Sequence, residues 1–137
     1  MKIQLIALLL YIFMPSAQAE ELAVIAHVKN NIDSLSKKQV QDIFLGRTHV
    51  YPSGRFALPI DQSSQLRAEF YLKLTARPLE QINAYWARIL FTGLASPPQQ
   101  LPDDEAVLQA VRENEGAIGY IGKTHVDHSV RVLLLLN

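Results

Sequence analysis

Between Pro59 and Arg67 the sequence reads Pro-Ile-Asp-Gln-Ser-Ser-Gln-Leu-Arg, and this stretch holds the chain's densest set of groups able to recognise an anion. Leu66, Phe70, Tyr71 and Leu74 recur behind it at helical spacing, which places Ser63 or Ser64 at the N-cap of a helix. The start of a helix leaves backbone N–H groups without partners and carries a partial positive charge. Two serine hydroxyls add donors, Asp61 can accept from a protonated oxyanion oxygen, and Arg67 lies one turn inside the helix. Asp61, Ser63, Ser64, Gln65 and Arg67 are therefore the candidate oxyanion ligands. Each group also has a plainer role open to it. Serines cap helices, an aspartate ahead of a helix closes an Asx-turn, and Arg67 can pair with Asp61 or Glu69.

Other residues that invite chemistry read more simply. Thr124-His-Val-Asp-His128 carries nitrogen and oxygen donors, but no third histidine or cysteine stands near it, and the segment reads as a turn between strands. No metal site is assigned there, and no cofactor anywhere. His27 and His49 read as surface or satisfied core groups. Tyr85, Trp86, Ile89 and Phe91 have helical spacing and belong to a core. Asp103-Asp-Glu105 is a cap followed by first-turn negative charge, and Glu113 and Glu115 show no sign of a catalytic pair. No nucleophile elbow, phosphate loop or zinc-protease pattern occurs, so the chain is not read as an enzyme.

The elements that must position the 59–67 stretch follow from patterning. Leu22 to Ala26 is a short apolar run suited to a strand covered on both faces. Ser36 and Gln39 have capping-box spacing ahead of Val40, Ile43 and Phe44, and Gly46 suits the left-handed residue that stops the helix. Phe56 to Ile60 reads as a short strand whose Pro59 suggests an edge or a strand end. Pro78 opens the strongest amphipathic helix, with Leu79, Ile82, Trp86, Ile89 and Leu90 on one side and Gly93 as its stop. A proline-rich loop from Ser96 to Pro102 leads to Asp103 as a cap, with Val107, Leu108 and Val111 buried and Gly116 as terminator. Ala117 to Ile121 and Val130 to Leu136 complete the set of strands.

Composition bounds the answer further. The chain has 137 residues, 49% hydrophobic and 19% charged, with 13 basic and 13 acidic groups and no cysteine. Zero net charge draws in neither nucleic acid nor an anionic membrane. Lys2, the apolar run Leu5 to Met14 and the Ala17-Gln-Ala19 ending are the three parts of a secretory signal peptide over residues 1–19. That run is too short to span a bilayer, so no membrane span is expected after cleavage. Residues 20–137 then form one exported domain. Strands separated by helices imply an α/β layer structure with a mostly parallel sheet flanked by helices, and such sheets bind ligands at the carboxyl ends of their strands.

Several segments match one family in order: Ser36-Lys-Lys-Gln-Val-Gln-Asp-Ile-Phe-Leu-Gly46, the strand, loop and helix from Leu58 to Phe70, Tyr85-Trp-Ala-Arg88 with Phe91-Thr-Gly93, and Gly116-Ala-Ile-Gly-Tyr120. Together they resemble the periplasmic phosphate-binding proteins of ABC transporters, and most closely a short, single-lobe member of that type 2 binding-protein family. The resemblance runs from about Leu22 to the carboxyl end. It implies an exported, non-enzymatic solute-binding protein for a small inorganic oxyanion, phosphate first, with an ABC transporter permease downstream. Full-length relatives close two lobes around the anion, so a second copy or another periplasmic protein would close this one. The phosphate receptors carry an Asp-Gly-Ser-Gly-Thr type of loop with an arginine shortly before it. Here both glycines and the threonine are replaced, Gln62 and Gln65 remove backbone freedom, and no such arginine precedes Asp61 to offer a bidentate fork. The same departures allow an alternative, a ligand-less accessory or interaction module that keeps the binding-protein fold.

Overall fold

The computed structural model describes Ile12 and residues 20–137; the expected leader over residues 1–19 otherwise lies outside the described residues. The first apolar run forms β1 (Leu22–His27), buried along almost its whole length. The Ser36/Gln39 pair makes the reciprocal capping box that opens α1 (Lys37–Phe44), and Gly46 takes the left-handed conformation just past its end. There follow β2 (Leu58–Gln62), α2 (Leu66–Thr75), α3 (Leu79–Thr92), β3 (Gln99–Leu101), α4 (Asp104–Glu113), β4 (Ala117–Gly122), a 3-10 turn (Lys123–His125) and β5 (Val130–Leu136). No helix among the described residues is long and apolar enough to cross a membrane.

The five strands lie in the order β3-β2-β4-β1-β5. β2 pairs in parallel with both β3 and β4, while β1 runs antiparallel to β4 and β5. Four strands thus share one direction and β1 alone opposes them, which gives the mostly parallel α/β sheet expected from the sequence. Side chains alternate across the sheet, as the pleat demands. One face, with Leu22, Val24, Ile118 and Tyr120, packs against α1, α2 and α3; the other, with Ala23, Ile25, Ile60 and Ile121, packs against α4 through Val107, Leu108 and Val111.

Several details differ from the sequence expectation, and Phe91, read there as core, is 95% exposed because it lies on the outer side of the last turn of α3. β2 starts at Leu58 and continues through Asp61 and Gln62, because the parallel ladder to β3 carries it on to the Gln62–Leu101 register. β3 itself forms inside the stretch read as a proline-rich loop. α4 ends at Glu113, with Asn114 rather than Gly116 at its C-cap.

The order β3-β2-β4 has a direct consequence for the site. These three parallel neighbours end side by side, and their carboxyl ends lead into α4, α2 and the 3-10 turn respectively. Two helix starts and one short turn therefore share one edge of the sheet. Gly119 makes the close seating of α4 possible: a Cβ built there would stand 2.6 Å from Cγ1 of Val107. Gly119→Ala is expected to push the helix outward and cost about 1–3 kcal/mol, as overpacking does. Urea unfolding measures this, and an unchanged midpoint would contradict the packing described.

Candidate functional site

Because β2 extends to Gln62, the pleat turns Asp61 away from Ile60 and toward the α1–α3 face. Its side chain is 1% exposed. There the carboxylate accepts hydrogen bonds from Oη of Tyr71 at 2.8 Å and from Oη of Tyr120, and an ion pair from Nε of Arg67 at 3.2 Å. The backbone N–H of Gln62 also reaches it, at 2.7 Å. Arg67 is further occupied by Oδ1 of Asn83 at 3.0 Å, and its guanidinium lies over the Tyr71 ring. Burial first, and the adjacent Asp61 charge second, push both tyrosine hydroxyls well above their ordinary range, so they stay protonated donors. Tyr120 is stacked on Phe70 at 3.7 Å between ring centroids, which fixes its hydroxyl in place.

Gln62 points to the opposite face and is fully buried. Its Nε2 donates to the Tyr120 carbonyl and to Oδ1 of Asp104, each at 2.7 Å, and its Oε1 accepts from the Ser64 hydroxyl at 2.7 Å. Asp104 in turn accepts from the Gly122 N–H at 3.0 Å and from Nδ1 of His125 at 2.6 Å. The Asp104 hydrogen bond, helped by the charges of Asp104, Glu20 and Glu105, raises the His125 pKa above its ordinary value.

At the start of α2 the N-cap position falls on Gln65, whose side chain makes no capping bond, rather than on Ser63 or Ser64. The Ser64 hydroxyl caps from one residue earlier by accepting from the Leu66 N–H at 3.2 Å. The Ser63 N–H is taken by the Leu101 carbonyl at 2.9 Å. Among the described residues, the N–H groups of Ser64 and Gln65 donate to no protein acceptor. They lie beside a cleft of about 590 Å³ lined by Gln62, Ser64, Gln65 and Leu66 from the end of β2 and the start of α2, by Asp103, Asp104, Glu105, Leu108 and Arg112 from α4 and its cap, and by Glu20, His125 and Asp127.

The five sequence candidates are therefore divided between two places. Ser64 and Gln65 border the cleft, and Ser63 is exposed beside them. Asp61 and Arg67 are joined to each other inside the protein, the pairing that the sequence left open for Arg67. Gln62, Asp104 and His125 belong to the same cleft and were not singled out as site residues. A buried glutamine and a tyrosine in an otherwise apolar strand were the available signals, since both need partners when enclosed. The contact of Asp104 with His125, residues far apart in the chain, left no mark in the sequence.

The fold has close counterparts among solved structures. A protein described as a phosphate ABC transporter substrate-binding protein from Clostridium perfringens, with phosphate bound, superposes with a TM-score of 0.67 at 22% identity, over 83% of this chain and 44% of that one. An ABC-type phosphate transport receptor from Vibrio cholerae gives 0.66 at 17% identity, over 83% and 45%. PstS from Borrelia burgdorferi gives 0.60 at 16%, over 83% and 46%. The chain thus has a phosphate-binding-protein-like fold and spans less than half the length of these structures, which corresponds to a single lobe. No protein-family profile and no curated protein sequence matches it.

The Asp61 cluster generates a stability prediction. Asp61→Ala leaves the Arg67 guanidinium and two buried hydroxyls without their acceptor and is expected to cost about 3–5 kcal/mol. Tyr71→Phe removes one charge-assisted bond and is expected to cost about 1.5–3 kcal/mol. Chemical unfolding of both variants checks the order; equal or negligible losses would show that the cluster does not anchor the helix.

Proposed function

We propose that the chain is an exported solute-binding domain of the phosphate-receptor type, offering the start of α2 to a small inorganic oxyanion, phosphate first, on behalf of an ABC transporter. The observation that supports this reading most directly is the pair of unengaged N–H groups at Ser64 and Gln65, set at a helix N-terminus beside a cleft at the carboxyl ends of parallel strands. Recognition would use those N–H donors and the Ser63 hydroxyl, the Ser64 hydroxyl being donated to Gln62 to hold the loop, with no covalent step and no resident metal or cofactor. The positions assigned to the ligand are Ser63, Ser64 and Gln65. Asp61 and Arg67 act behind them, holding the β2 end and the helix start in register.

The reading also specifies a weak site. The Arg67 guanidinium is committed to Asp61, and the cleft wall carries Asp103, Glu105 and Asp127, which oppose an anion. A single lobe leaves a ligand half exposed, whereas small-molecule sites usually enclose about 70–90% of it. Closure by a second copy or by another periplasmic protein belongs to the same proposal.

A second reading, an interaction module that keeps the fold without a ligand, draws on a different observation. Leu90, Phe91 and Leu94 at the end of α3 are exposed, Phe91 by 95%. Contiguous apolar surface of this kind marks contact with another macromolecule.

Calorimetric titration of residues 20–137 with phosphate and with sulfate distinguishes the two. The receptor reading expects saturable heat with a Kd of about 1 mM, weakened several-fold by Ser64→Ala. No heat up to about 10 mM, or a Ser64→Ala variant altered only in thermal stability, would overturn it in favour of the interaction module.

A further inference from the structure

Ser64, Gln62, Asp104 and His125 form one continuous chain of hydrogen bonds from the start of α2 to the 3-10 turn. The Ser64 hydroxyl donates to Oε1 of Gln62, Nε2 of Gln62 donates to Oδ1 of Asp104, and Oδ2 of Asp104 faces Nδ1 of His125 at 2.6 Å. The Asp104 contact leaves Nε2 as the other ring nitrogen, and it makes no hydrogen bond among the described residues, while the ring borders the same cleft as Ser64 and Gln65. In the neutral ring that carries its proton on Nδ1, Nε2 is an acceptor, which an oxyanion oxygen cannot use. Protonation turns it into a donor and adds a positive charge.

We infer that His125 sets the pH range over which this cleft holds an oxyanion, the site being strong when the imidazole is protonated and weak when it is neutral. The inference rests on the proposed oxyanion site at α2 and adds its regulation. The charged groups around the ring make the change in sign matter. α4 presents Asp103, Asp104 and Glu105 to the cleft, with Arg112 one side of it; Glu20 stands ahead of β1, Asp127 follows the 3-10 turn, and Lys123 in that turn is paired with Glu21. In that company, among the described residues that line the cleft, Arg112 is the permanent cation, and it is already shared between Asp127 and Glu105. His125 is the group that can supply a second. The Asp104 hydrogen bond first, with the charges of Asp104, Glu20 and Glu105, holds its pKa above the ordinary 6.5, so the charged form persists to higher pH than in a free histidine.

Affinity therefore falls as pH rises through that elevated value, and by reciprocity a bound anion raises it further. The probe is sulfate, whose charge does not change over this range. Calorimetry of residues 20–137 is expected to show sulfate binding at least about fivefold tighter near pH 5.5 than near pH 8.5. His125→Gln should bind at both pH values as the wild type does near pH 8.5, and His125→Arg should bind at both as it does near pH 5.5. In parallel, an NMR titration of the His125 ring should give a higher pKa with saturating sulfate than without. Sulfate heat that is equal at the two pH values, or a pH dependence that survives in His125→Gln, overturns the inference while leaving the oxyanion site standing. No heat at either pH, together with an unmoved ring titration, overturns both.

Discussion

A single buried carboxylate organises the functional edge of this protein. Asp61 sits at the end of a central strand, and its two oxygens gather a hydroxyl from α2, a hydroxyl from β4, a guanidinium from α2 and the next backbone N–H. An aspartate taken out of water is tolerated only when its lone pairs are met. Here the groups that meet them come from each element that has to be held, so satisfying the charge and fixing the geometry are the same event. The direction in which α2 leaves the sheet, and hence where its first N–H groups point, depends on that cluster.

The cleft beside it combines two helix starts treated in opposite ways. α4 is capped by Asp103 and carries Asp104 and Glu105 in its first turn, so its own partial positive charge is already answered by side chains. α2 has no capping bond from its N-cap residue, and the N–H groups of Ser64 and Gln65 just ahead of it have no protein acceptor among the described residues. Gln62 lies between them, bound to Ser64 on one side and Asp104 on the other. Gln62 is thereby used as a strut inside the fold, tying the start of α2 to the start of α4.

Much of the architecture could be read locally. The capping box of Ser36 and Gln39, the left-handed Gly46, the Asp103 cap and the burial of Trp86 within α3 were all expected and all occur, since each is decided within about one helical turn. β3 escaped because Gln99–Leu101 has no strand pattern of its own, flanked by prolines and largely exposed, and exists by pairing with β2. The length of β2 escaped for the same reason, and with it the orientation of Asp61. Had the strand been carried two residues further, the alternation of the pleat would have placed Asp61 opposite Ile60, beside the two tyrosines. The candidate residues accordingly gather at one helix start, while their division between interior and cleft was not visible.

What the amino-acid order determined by itself was the inventory: an α/β alternation of strands and helices, a helix beginning near residue 63, and polar groups concentrated around it. Those features depend on periodicity, caps and turn residues, whose energies are local. Which side chains would face the cleft and which would face each other was decided only when β2, β3 and β4 came into register. Hydrogen bonds such as Asp61 to Tyr120 or Asp104 to His125 join residues that meet only through the sheet, and a buried charge takes its role from whichever donors the packed neighbours bring to it.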